Sequence, residues 1–99
     1  MQDLKNKVAY ITGGSKGIGF GVAEQLLKAG MKVAISGRNL ESVQKAAKEL
    51  GAADNVLAIA SDVTKHVDEE LAVKVILEKW GQLDVVLANA GVGHFAPID

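Results

Sequence analysis

The chain has no cysteine, almost no net charge and no long apolar run, and each absence removes a class of function. Without cysteine there are no disulfides, no thiol catalysis and no thiolate metal site, and the chain suits a reducing compartment. A formal net charge of −1 over 99 residues gives no electrostatic reason for a nucleic-acid partner or an anionic membrane surface. No apolar segment approaches the length needed to span a bilayer, and Met1-Gln2-Asp3-Leu4-Lys5 lacks the apolar core of a signal peptide. The expectation is a cytoplasmic protein with no membrane or nucleic-acid partner. With 48% hydrophobic and 23% charged residues, the length suits one soluble folded unit.

What is present is glycine, in one place above all. Thr12-Gly13-Gly14-Ser15-Lys16-Gly17-Ile18-Gly19 lies between a short apolar run, residues 7–11, and a stretch in which Ile18, Val22, Ala23, Leu26 and Leu27 recur at helical spacing until Gly30. Gly13 suits a tight exit from a strand, while Gly17 and Gly19 carry no side chain to hold a ligand off the backbone. The first N–H groups of the following helix lack intrahelical acceptors and carry partial positive charge, so an anion such as a pyrophosphate is their natural partner. Glycine-rich strings also make ordinary turns. Here the order strand, glycine loop, helix is the one that phosphate binding requires.

The alternation continues along the chain. Residues 32–36, 56–60 and 83–89 read as further strands; Leu40, Val43, Ala46, Ala47 and Leu50 mark a second helix closed by Gly51; Leu71, Val75, Ile76 and Trp80 mark a third that ends at Gly81. The strands are nearly continuous apolar runs, as in a parallel sheet covered on both faces, so the pattern predicts an α/β doubly wound fold of about four strands and three helices. In that order the fourth strand lies beside the first. A six-stranded sheet of this type needs on the order of 150 residues or more, so the expectation is the N-terminal part of a longer domain, cut after the fourth strand.

Three further positions carry chemistry at the carboxyl ends of strands, where such sheets bind ligands. After the second strand, where NAD-binding folds place an acidic residue for the ribose hydroxyls, stands Ser36-Gly37-Arg38-Asn39. Arg38 offers a planar fork suited to a 2′-phosphate, and Lys16 is a second cation nearby, which favours NADP(H) with NAD(H) as the alternative. Arg38 also reads as a solvated charge at a helix entry. Asp62-Val63 follows the third strand, where Asp62 or Thr64 would equally serve as a helix N-cap. Asn89-Ala90-Gly91 follows the fourth and suits a plain turn as well.

Taken together, Thr12-Gly13-x-x-x-Gly17-x-Gly19, Asp62-Val63 and Asn89-Ala90-Gly91 resemble the short-chain dehydrogenase/reductase family, over essentially the whole chain. The resemblance implies a Rossmann-type NAD(P)-binding domain of which residues 1–99 are the N-terminal part. It implies that Ser15, Lys16 and Ile18 meet the cofactor phosphates, that Arg38 meets the 2′-phosphate, and that Asp62, with Val63 beside it, accepts from the adenine amino group. Asn89, with Ala90 and Gly91, would line the ribose and nicotinamide side. It further implies hydride transfer between nicotinamide and a small carbonyl or alcohol substrate, with assembly as a homo-oligomer.

The same resemblance implies that the catalytic Ser, Tyr and Lys lie beyond this stretch. Tyr10, the only tyrosine, sits in the first strand and does not fit the role, so no catalytic residue is expected in this chain and residues 1–99 alone are expected to be inactive. His66 and His94 have no carboxylate or cysteine at ligand spacing, which argues against a metal site. Asp68-Glu69-Glu70 suits the opening turn of a helix, Trp80 a core or helix-end anchor, and Met31 a core filler. Two other readings stay open. Gly17-Ile18-Gly19-Phe20-Gly21 also fits an S-adenosylmethionine-dependent methyltransferase, although Arg38 stands where that fold wants a carboxylate, and a non-catalytic nucleotide-binding module fits as well.

Overall fold

In the computed structural model, residues 5–13, 17–51, 53–62 and 65–88 are described. The chain runs β1 (Val8–Thr12), α1 (Gly17–Lys28), β2 (Lys32–Gly37), α2 (Leu40–Leu50), a 3-10 turn (Ala53–Asn55), β3 (Val56–Ala60), α3 (His66–Trp80) and β4 (Val85–Ala88). All strand pairs are parallel and their order is β3-β2-β1-β4. The fourth strand does lie beside the first.

Strand composition explains the layering. Successive side chains point to opposite faces, so Val8 and Tyr10 join Ala34 and Ile59 under Ala72 and Ile76 of α3, while Ile11, Val33 and Ile35 meet Ala23, Val43 and Ala46 of α1 and α2. Every residue of β1 is buried. A parallel strand with helices on both sides has no solvated face, hence the continuous apolar run.

Each helix stops for a local reason. At the end of α1, Met31 N–H donates to Leu26 O and Gly30 N–H to Leu27 O with Gly30 at φ 90°, the paired bonds of a Schellman cap. Gly51 and Gly81 close α2 and α3 in the left-handed region, at φ 77° and 73°. Asn39 caps α2 by accepting from Ser42 N–H at 3.2 Å.

The buried faces of all three helices differ in part from the periodic reading. Leu71 and Val75 are 55% and 41% exposed, and α3 turns Ala72 and Ile76 inward, with Val73 and Trp80 half-buried. Glu69, which accepts from the Tyr10 hydroxyl beneath α3, lies on this same helix face, three and seven residues before Ala72 and Ile76. Ile18, counted on the apolar stripe of α1, is 80% exposed, whereas Ala23 of the same stripe is buried, together with Gly19. Leu40 is similarly exposed at the start of α2. Met31 is in the core at 2% exposure.

Candidate functional site

Strand register brings the motif positions to one edge. Thr12 pairs with Ser36 on one side and Ala88 on the other, and Gly37 pairs with Ala60. Gly13, Arg38 and Asp62 follow those strand ends directly or within two residues, so three segments distant in sequence share the carboxyl edge of the sheet. At roughly 4.8 Å between neighbouring strands, that edge measures about 14 Å from β3 to β4. Ser61 N–H donates to Gly37 O at 2.9 Å and extends the ladder one residue past β3.

Backbone geometry at the first turn requires glycine. Gly13 has φ 70° and Gly17 φ 57°, the region that L side chains avoid. A Cβ placed on Gly17 would meet no atom within 4 Å, so that position faces open space and the constraint is on the backbone alone. The first turn of α1 carries no acidic side chain, whereas α2 begins with Glu41 and α3 with Asp68 and Glu69. Among the described residues no carboxylate therefore competes for the N-terminal N–H groups of α1, and Ile18 stands exposed in the same turn. Thr12, 4% exposed, ties the turn inward through a long 3.5 Å bond from its hydroxyl to Leu87 O.

Arg38 is exposed immediately after β2 and forms no ion pair among the described residues. Nothing acidic lies between the end of β2 and Asn39. Asp62 is half-buried; its N–H donates to Asp68 Oδ2 at 3.0 Å and its carbonyl accepts from Lys65 N–H at 2.9 Å. The N-cap of α3 is Lys65, without a side-chain cap bond. Asp62 is thus not the helix cap that its composition allowed, because three residues separate it from the first helical turn. Ser15, Lys16, Val63, Thr64, Asn89, Ala90, Gly91 and His94 lie outside the described residues.

Two clusters escaped the sequence reading. Tyr10 Oη sits 3.1 Å from Ser36 Oγ and 3.2 Å from Glu69 Oε1, and Ser61 Oγ donates to the same Glu69 oxygen at 2.9 Å. Burial, reinforced by the Glu69 charge and opposed by the Ser36 bond, pushes the Tyr10 hydroxyl up to about 12. The apolar run placed Tyr10 in the first strand but gave no sign of its partner 59 residues on. The second cluster corrects the reading of His66, which does have a carboxylate neighbour: Glu70 Oε1 lies 2.8 Å from its Nε2, one helical turn on. Both side chains are exposed, and no group of three or more metal-ligating side chains occurs among the described residues. An open groove of about 810 Å³ between α2 and β3, lined by Gln44, Lys48 and Val56 among others, lies on the sheet's outer edge and away from the glycine turn.

Comparison with known proteins gives a consistent pattern. Residues 7–99 match the family model described as short chain dehydrogenase. The chain is 40% identical over 95 residues to the sorbitol dehydrogenase of Cereibacter sphaeroides, which covers 96% of this chain and 36% of that enzyme. Among solved structures it resembles the 3-ketoacyl-(acyl-carrier-protein) reductase of Brucella melitensis, complexed with NADH, at TM-score 0.82 and 42% identity, over 92% of this chain and 37% of that one. A Bacillus anthracis short chain dehydrogenase gives TM-score 0.84 at 36% identity, over 90% and 36% respectively. The chain therefore spans little more than a third of the length of the relatives it matches.

Proposed function

The chain belongs to the short-chain dehydrogenase/reductase family, with a Rossmann-type parallel sheet, and from that premise we propose that residues 1–99 are the N-terminal part of a single NAD(P)-binding domain. The whole protein is read as an oxidoreductase that moves hydride between nicotinamide and a small carbonyl or alcohol substrate, and that works as a homo-oligomer. The observation that carries this reading is the shared edge: a glycine turn at positive φ, a helix N-terminus free of carboxylates, Arg38 and Asp62 brought together by register.

Each residue has a part. Gly13 and Gly17 bring backbone close to the pyrophosphate, and the first N–H groups of α1 donate to it, with Ser15, Lys16, Ile18 and Gly19 flanking. Arg38 takes the adenosine 2′-phosphate by paired N–H donors. Asp62 accepts from the adenine amino group, with Val63 beside it, and Asn89, Ala90 and Gly91 line the nicotinamide side. When bound, the dinucleotide supplies a hydride donor or acceptor at nicotinamide C4.

NADP(H) is preferred in this reading because Arg38 is exposed and free of ion pairs among the described residues, and no carboxylate stands beside it to meet a ribose 2′-hydroxyl. The Brucella reductase was seen with NADH, and the two dinucleotides differ only at that 2′ position, so the preference rests on Arg38, with Lys16 as a second cation. Tyr10 takes no part in proton transfer: it is 1% exposed beneath α3. The proton donor, in this reading, belongs to residues outside 1–99. Oxidoreductase relatives and a basic residue after β2 favour this assignment over a methyltransferase.

Titration of the full-length protein with NADPH and, separately, with S-adenosylmethionine tests it. Binding of NADPH with no binding of S-adenosylmethionine is expected; the reverse order overturns the assignment.

A further inference from the structure

The two carboxylates that open α3 are both spent on the turn that carries Asp62. Glu69 Oε1 accepts from Ser61 Oγ at 2.9 Å, and Asp68 Oδ2 accepts from Asp62 N–H at 3.0 Å. Behind Glu69 stands Tyr10, its hydroxyl 3.2 Å away and itself 3.1 Å from Ser36. A carboxylate only accepts, so the single Tyr10 proton serves Glu69 and the Ser36 hydroxyl completes the group. Tyr10, Ser36 and Ser61 are 1%, 0% and 3% exposed, and among the described residues no buried side-chain polar atom is left without a partner. Satisfied networks of this kind fix geometry more than isolated bonds do. The chain thus runs from the centre of β1 through Glu69 and Ser61 to the residue assigned to the adenine.

We propose that Glu69 is a positioning residue for the adenine end of the dinucleotide, acting through Ser61 on Asp62. Glu69 touches no cofactor atom. It anchors the turn after β3 to β1 and β2, so that Asp62 is presented in one place and not over a range of turn conformations. The inference rests on the assignment of Asp62 made above. Tyr10 strengthens the arrangement because its buried hydroxyl donates to Glu69 at 3.2 Å and so ties that carboxylate to β1.

Binding to the full-length protein separates this role from a merely structural one. Dissociation constants are measured by fluorescence titration for NADPH and for reduced nicotinamide mononucleotide, which has no adenine, in the wild type, Glu69→Ala, Glu69→Gln, Asp62→Ala and the double variant Asp62→Ala/Glu69→Ala. Glu69→Ala is expected to weaken NADPH about tenfold, the size of one hydrogen bond to a charged group, and to leave the mononucleotide within about twofold. Glu69→Gln keeps an acceptor for Ser61 and should restore most of the loss. The double variant should bind NADPH no more weakly than Asp62→Ala.

Equal weakening of both ligands, no weakening of either, or additive losses in the double variant would overturn the proposal. If Asp62→Ala weakens NADPH and Glu69→Ala does not, this inference alone fails; if Asp62→Ala changes nothing, the Asp62 assignment fails and takes this inference with it. Should Glu69→Ala not fold, Ser61→Ala removes only the 2.9 Å bond and carries the same expected outcomes.

Discussion

Replacing Tyr10 by phenylalanine removes one oxygen and keeps the ring that fills the space beneath α3. At pH 8 the cost is that of a hydroxyl bonded to Ser36 and to the Glu69 carboxylate, about 2 kcal/mol, since hydrogen bonds to charged groups are worth roughly 1.5–3 kcal/mol. The same oxygen makes stability depend on pH. Its native pKa is raised from 10.0 to about 12, so tyrosinate is disfavoured in the folded state. The contribution is complete below pH 10 and is lost as pH rises through about 12; two pH units at ~1.36 kcal/mol each give a loss of roughly 3 kcal/mol. Tyr10→Phe has no such loss. The gap between the two proteins should therefore shrink progressively as pH rises above 10 toward about 12. Urea unfolding followed by the fluorescence of Trp80, the only tryptophan, measures it, and lysine ionisation cancels in the difference. A gap that stays constant between pH 8 and 12 would refute the buried, carboxylate-facing hydroxyl, and no gap at pH 8 would refute its contribution.

Other outcomes follow from the same structure. Ile76→Ala empties a fully buried site between α3 and the sheet and should cost about 2–5 kcal/mol in urea unfolding, whereas Leu71→Ala on the exposed side should cost under about 0.5 kcal/mol. Asn39→Ala should lose about 1 kcal/mol with the cap of α2, and Lys65→Ser, at a helix start without a side-chain cap, should gain about 0.5–1 kcal/mol; thermal melts by circular dichroism read both. The Asp84 carboxyl is held below its ordinary value chiefly by accepting from Val8 N–H at 2.8 Å, so it stabilises the fold at neutral pH and the effect disappears as acid protonates it. Asp84→Ala should flatten the acid limb of the stability profile.

Element order was legible because β1 to β4 are nearly continuous apolar runs, and Gly30, Gly51 and Gly81 mark the helix ends where φ is positive. The positions of Gly13, Arg38 and Asp62 at one sheet edge followed from the doubly wound order alone. What stayed hidden was rotation about the helix axes. Leu71 and Val75 satisfied helical spacing with Ile76, but only Ile76 is buried, beside Ala72, and the bond between Tyr10 and Glu69 on that same face spans 59 residues, which no local pattern records. For the same reason Glu69 read only as a charge suited to a helix start, when it also joins Tyr10 of β1 to Ser61 in the turn before Asp62. His66 and Glu70 were within reach of an i,i+4 rule and were passed over.

The most direct test of the dinucleotide site is calorimetric titration of the full-length protein with NADPH and NADH, repeated in Arg38→Ala. The account predicts that NADPH binds more tightly than NADH and that Arg38→Ala weakens NADPH by about tenfold or more while leaving NADH nearly unchanged, as loss of a bidentate phosphate contact requires. Tighter binding of NADH in the wild type, or equal weakening of both in Arg38→Ala, would contradict the assignment of Arg38, and failure to bind either would contradict the site itself.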